Sequence, residues 1–151
     1  MTVSIKLVTV TNNIAAITIS GVNILKLSEI AENAAMSCPV LQPIPNGFIT
    51  DMEFELQSVG TDSSRAIDLS YTLNYRYLHA PIGSGGALLS SYEGLIENLV
   101  EIVRELLSDS IYTGAVDVSL SSVSNIGAVV DPAGNQYHGV DIALRVLEFV
   151  Q

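Results

Sequence analysis

The stretch from Arg65 to His79, R-A-I-D-L-S-Y-T-L-N-Y-R-Y-L-H, constrains the fold of this chain more than any other. Ile67, Leu69, Tyr71, Leu73, Tyr75 and Tyr77 alternate without a break with Asp68, Ser70, Thr72, Asn74 and Arg76. A period of two is a strand with one face buried and one face wet; a helix would scatter those six large side chains around its whole cylinder. At ~3.3 Å per residue the strand runs on the order of 40 Å, about twice the usual length. Such a strand is the spine of a sheet or reaches past its own domain to a neighbour.

The rest of the chain is read around that spine. Met52, Phe54 and Leu56 alternate with Glu53, Glu55 and Gln57, so 52–59 is a second half-buried strand. The turn Gly60-Thr61-Asp62-Ser63-Ser64 folds it back onto the spine as an antiparallel hairpin. Upstream, residues 2–20 carry Val3, Leu7, Val10, Ile14 and Ile17 at helical spacing, yet are crowded with β-branched residues, and both readings stay open. V-N-I-L-K-L (22–27) reads as a short strand and 28–36 as one weak helical turn. Pro39, Pro43, Pro45 and Gly47 predict an extended loop, because prolines at that density exclude a helix and a central strand.

Downstream, Pro81 to Gly86 is a flexible break. Ser90, with Glu93 three residues on, forms a capping box that opens a long helix. Tyr92, Leu95, Ile96, Leu99, Val100, Ile102, Val103, Leu106 and Leu107 fall on one side of it. Glu93, Glu97, Glu101, Glu105 and Asp109 fall on the other. After Gly114, Val116, Val118 and Leu120 alternate, and the phase slips near Ser121-Ser122 as at a bulge or bend. A turn at 131–135 leads into a last strand, 138–150, that buries Val140, Ile142, Leu144 and Val146. The expected fold is a single α+β domain spanning 1–151. Its antiparallel or mixed sheet has about four to five strands, with one long amphipathic helix packed on it.

Composition narrows the function. Sixteen acids against six Lys and Arg give a net charge of −10, too few cations for a nucleic-acid or anionic-lipid surface. No apolar run is long enough to span a bilayer, and the N-terminus lacks the features of a signal peptide. The single cysteine, Cys38, forms no internal disulfide, which fits a reducing cytosol. Charged residues make up only 15 % of the chain and apolar ones 48 %, as in a subunit whose surface is partly covered by copies or partners, or in a monomer with polar loops.

Candidate chemistry is thin. Gly83-Ser84-Gly85-Gly86 lacks the Lys-Ser/Thr of a phosphate-binding loop and reads as a connector. His79 and His138 sit at strand ends outside any metal-ligand spacing. Cys38 has no neighbour that would activate a thiolate. No catalytic residue, metal or cofactor is expected. The acidic ladder on the helix costs ~0.2–0.5 kcal/mol per like-charged i,i+4 pair. It marks either a solvated face or a face for a basic partner or a wet channel.

Several features in order resemble a known family. They are V-N-I-L-K-L-S-E-I (22–30), C-P-V-L-Q-P-I-P (38–45), Y-T-L-N-Y-R-Y-L-H (71–79) with its glycine-rich break, the long helix, and Y-H-G-V-D-I-A-L-R-V-L-E-F-V (137–150). Together they look like a tail terminator, or a related minor tail or head–tail joining protein, of long-tailed bacteriophages. That resemblance implies a non-enzymatic virion protein, assembled in the host cytoplasm as a homo-oligomeric, hexameric ring. It implies tail tube protein on one side and a head–tail connector or stopper protein on the other, with DNA only as cargo through the lumen. It also implies an N-terminal helix, which favours a helix over 2–16. Interaction residues are then expected among Glu53, Glu55, Tyr75, Tyr77, Glu93, Glu97, Glu101 and Glu105, with the helix acids or Glu53/Glu55 facing the lumen. The alternatives are another neck or head-closure component, and a cytosolic ligand-binding module with an apolar cleft between helix and sheet.

Overall fold

The computed structural model describes residues 6–26, 38–44, 47–57, 66–82, 88–108, 116–130 and 134–150. Helix α1 (Leu7–Ala15) is followed by strands β1 (Asn23–Ile24), β2 (Val40–Pro43), β3 (Ile49–Gln57) and β4 (Ala66–Pro81). Helix α2 (Leu88–Leu106) then precedes β5 (Val116–Val130) and β6 (Gln136–Val150). The six strands form one mixed sheet ordered β1-β2-β4-β6-β5, with β3 also paired to β4. This is one strand more than the upper limit expected, and the α+β class holds.

β4 is the spine. On one side it pairs antiparallel with β6, from Ile67↔Val150 to Pro81↔Tyr137. Its other edge is shared: β3 takes the stretch from Ala66 to Leu73 and β2 the stretch from Tyr75 to Leu78. Asn74 fastens the join, its side-chain amide donating to Gly47 O and to Thr50 Oγ1, each at 2.9 Å. The two-residue period does what the sequence requires. Leu69, Tyr71, Leu73, Tyr75 and Tyr77 enter the core with Val140, Ile142, Leu144 and Val146 of β6. Leu95, Leu99, Ile102 and Leu106 of α2 and Val10 and Ile14 of α1 cover them on the same face.

β2 corrects the expectation of a loop at the prolines. Pro39 lacks a donor but keeps its carbonyl, which accepts the Asn23 N–H at 2.9 Å. β1 reaches only Val40 and Leu41, so Pro43 lies beyond its pairing and its missing N–H breaks no ladder there. The helical reading wins over 7–15 because it buries Val10 and Ile14 on the sheet. α2 starts at Leu88, so Ser90 lies inside the helix and is not its cap. β5 bulges between Leu120 and Ser122 as predicted, and again between Ser124 and Gly127, where Asn125 takes a left-handed conformation (φ 56°). The expected turns at 28–36 and 60–64 and the break at 83–86 lie outside the described residues.

A second, smaller core forms on the opposite face, where Val40, Leu78, Val129 and Tyr137 meet. Gly139 permits it. A Cβ there would collide with the Tyr77 carbonyl oxygen and lie 2.8 Å from Val129 Cγ2. Because the first obstacle is backbone in the β4–β6 ladder, Gly139→Ala is expected to destabilise the protein by ~3 kcal/mol in urea titration, with the loss appearing in the midpoint.

Candidate functional site

The polar groups fall into four assemblies. The first is the acidic ladder of α2, where Glu93, Glu97 and Glu101 are exposed and Glu105 is half-buried. Glu101 has Arg104 at 3.6 Å, a solvent-exposed pair that contributes little. The apolar side of α2 is wider than the surface that covers it. Ile96, Val100 and Leu107, expected on the sheet, are exposed at 41 %, 61 % and 40 %. A groove of about 580 Å³ runs along this helix, lined by Ile19, Ser20, Ile96, Glu97, Asn98, Val100 and Glu101.

The second assembly is on the sheet face away from the helices. Glu53 pairs with Ser70 and Glu55 with Asp68, and β6 continues these rows with Leu147 and Phe149. A groove of about 370 Å³ lies there among Glu53, Phe54, Glu55, Asp68, Ser70 and Leu147. Arg145 donates to Ser70 Oγ at 2.8 Å, Thr72 Oγ1 at 3.0 Å and Asp51 O at 2.7 Å, with Glu53 at 3.6 Å. Arg76 makes a two-pronged contact with Asp141 on the same face (Nε to Oδ1 2.6 Å, a second nitrogen to Oδ2 3.2 Å). The two sets of carboxylates, either of which is expected to face a lumen, therefore stand on opposite faces.

Tyr75 and Tyr77 require a correction. Both are expected at an interaction surface, but their rings are 1 % and 0 % exposed, because they lie in the buried phase of β4 under the helices. Tyr77 instead organises the third assembly. Asn98 Nδ2 donates to its hydroxyl at 2.7 Å, and the same oxygen lies 2.8 Å from His79 Nδ1. Tyr92 stacks on His138 with ring centroids 5.5 Å apart. Gly94 lets α2 approach, since a Cβ there would sit 2.9 Å from His79 Nε2. Burial pushes the Tyr77 hydroxyl up to about 12. Burial, and secondarily the nearby His138, holds His79 below the ordinary histidine value of 6.5. Both groups are thus neutral near pH 7, and among the described residues no carboxylate or thiol is hydrogen-bonded to His79. Among the described residues no group of three or more His, Cys, Asp or Glu is placed to hold a metal, and no helix is long and apolar enough to cross a membrane.

The fourth assembly, centred on Glu148, was not singled out in the sequence. It lies in phase with Val146 and Val150 and is 1 % exposed. Its Oε1 accepts the Lys6 backbone N–H at 2.6 Å and its Oε2 accepts the Tyr71 hydroxyl. Lys6 is the N-cap of α1 and has no side-chain cap, so the carboxylate meets the positive end of the helix and fastens it to β4 and β6. Burial, then the bond to Glu148 and its charge, push the Tyr71 hydroxyl up. An acid in the apolar phase of a strand is the signal that marks such a residue.

In comparisons with known proteins, no family model and no curated sequence matches the chain.

Two outcomes follow from these geometries. Tyr71→Phe removes a donor from a buried carboxylate and is expected to cost ~1–3 kcal/mol of stability by urea titration. His79 is harder to protonate folded than unfolded, so the unfolded chain takes up the proton first as pH falls. The wild type should therefore lose stability below about pH 6.5, and His79→Gln should lose less over the same range in thermal melts. Equal slopes for the two proteins would refute the assignment.

Proposed function

We propose that this chain is a structural virion protein of a long-tailed bacteriophage. In this reading it forms a homo-oligomeric, hexameric ring that caps the tail tube and joins the tail to the head connector. The observation that carries the reading is the open edge and face of the sheet. β5, fifteen residues long, pairs only with β6 among the described strands and bears a single charge, Asp117. Leu120, Ile126 and Val130 are exposed along it. Monomeric proteins blunt such edges with lysine, proline, bulges or a covering element; β5 has two bulges but neither lysine nor proline, and no second strand pairs with it among the described residues. The face opposite the helices leaves Leu147 and Phe149 exposed as well. A subunit whose copies cover these surfaces accounts for both, and for the low charged fraction of the chain.

The rival reading, a ligand-binding module, needs a roomy apolar cleft between α2 and the sheet. Leu95, Leu99, Ile102 and Leu106 pack into that space against β4 and β6. Terminator, head-closure and other neck roles share the ring and differ in the partner.

Light scattering and negative-stain imaging of the purified chain test the reading. The expected result is rings of about six subunits, or monomers that close into rings on tail tubes. Ile126→Lys on the β5 edge should disperse them while leaving the fold intact by circular dichroism. A monodisperse 16.1 kDa monomer that ignores tail tubes overturns the proposal.

A further inference from the structure

The apolar residues along the margin of α2, continued by Leu107 just past its end, are not scattered. Ile96, Val100, Val103 and Leu107 follow one another at spacings of four, three and four, the alternation of the two apolar positions in a helix-pairing heptad. Val103 is half-buried against the core and the other three are exposed, so the stripe borders the packed face of α2 without belonging to it. It runs ~16 Å, about three helical turns. Ile19 and Ser20, from the segment after α1, complete a groove of about 580 Å³ with Ile96, Val100, Glu97 and Glu101. Glu93, Glu97 and Glu101 project on the flank of the stripe away from the core.

We infer that this groove docks a helix of a different protein, one with an apolar stripe at heptad spacing and lysine or arginine beside it. Helical spacing of the stripe selects a helix as the occupant, since ridges at i, i+4 and i+7 fit the grooves of another helix and α2 offers no backbone edge to a strand. Charge selects against a second copy of this chain. Two α2 helices side by side would bring acids against acids, with Arg104 the sole cation on each and already beside Glu101, in a protein of net charge −10. A basic partner turns the like-charge cost of the ladder into attraction across the seam. This inference concerns a face separate from the β5 edge and stands whether or not the chain forms rings.

A synthetic helical peptide of about three heptads, with leucine at positions a and d and lysine at e and g, is the probe. By fluorescence anisotropy it is expected to bind the full chain, and to bind less tightly as salt rises from about 0.05 to 0.5 M. A peptide with glutamate in place of lysine is expected not to bind. Val100→Asp, at an exposed position, should weaken binding on the order of tenfold or more, while Leu147→Ser on the opposite face should leave it unchanged. Equal binding of the two peptides, undiminished binding to Val100→Asp, or no binding of the lysine peptide overturns the inference. So does a wild-type dimer that Val100→Asp dissolves without peptide, which would assign the seam to a second copy. Light scattering on the same samples scores ring formation separately from peptide binding.

Discussion

The antiparallel ladder between β4 and β6 is the constraint on which everything else depends. It runs from Ile67↔Val150 to Pro81↔Tyr137 with one irregularity, between Leu78 and Ala80. Since partners across an antiparallel pair share a face, this register decides at once which side chains of both strands enter the core. A slip of one residue would put Arg145 and Asp141 under the helices and Val146 and Ile142 in water. The helices are consequences of this choice: α2 and α1 cover the face that the ladder makes apolar, and β2, β3 and β5 pair to edges that it leaves open.

The same ladder explains how a carboxylate can be buried with no ion pair to it among the described residues. Glu148 stands opposite Leu69 in the apolar phase, where a lone charge would be expensive. Two donors meet it, the Tyr71 hydroxyl from the neighbouring strand and the Lys6 amide at the start of α1. The helix gains the cap that its own sequence does not supply, and the carboxylate gains the positive end of the helix dipole. One residue near the end of the chain thereby fixes the position of an element near its start.

The strands with one buried face were legible because period two has one structural meaning. β4, β6 and the first bulge of β5 follow from it; β3 pairs with β4 as expected, but Met52 and Phe54 of its apolar phase are 46 % and 68 % exposed, so alternation there does not mean a buried face. β2 is not legible, because the rule that prolines exclude a central strand omits prolines at its ends: Pro39 precedes β2 and offers its carbonyl to Asn23, and Pro43, its last residue, lies beyond the pairing with β1. Tyr75 and Tyr77 read as interface residues in the sequence because a tyrosine in the apolar phase of a long strand suits an interface and a core equally. Only the helices lying over it decide. α2 shows a third kind of limit. Helical periodicity marks every apolar position but does not state how much of that arc the sheet covers, so Ile96 and Val100 looked identical to Leu95 and Leu99. Glu148 and Asn98 owe their roles to contacts distant in sequence.

The split of the carboxylates between two faces restricts any ring built from this subunit. A lumen is lined by one face of each copy, and the helix layer separates Glu97 and Glu101 from Glu53 and Glu55. A lumen lined by a single face of each copy would therefore take only one of the two sets. If the α2 flank borders a helix-docking seam, that face belongs to a partner protein, and the lumen of the proposed ring falls to the β3 side. There, Glu53, Glu55 and Asp68 surround a shallow groove on the uncovered sheet. Negative charge on that side would keep passing DNA from adhering, through the same electrostatics that make a cationic surface bind it. The exposed Leu147 and Phe149 share this face, so a lumen would have to be lined by the β3 end of the face while neighbouring copies cover the β6 end. In the proposed ring, one-sided packing and divided acids would give the two faces of the subunit different surroundings.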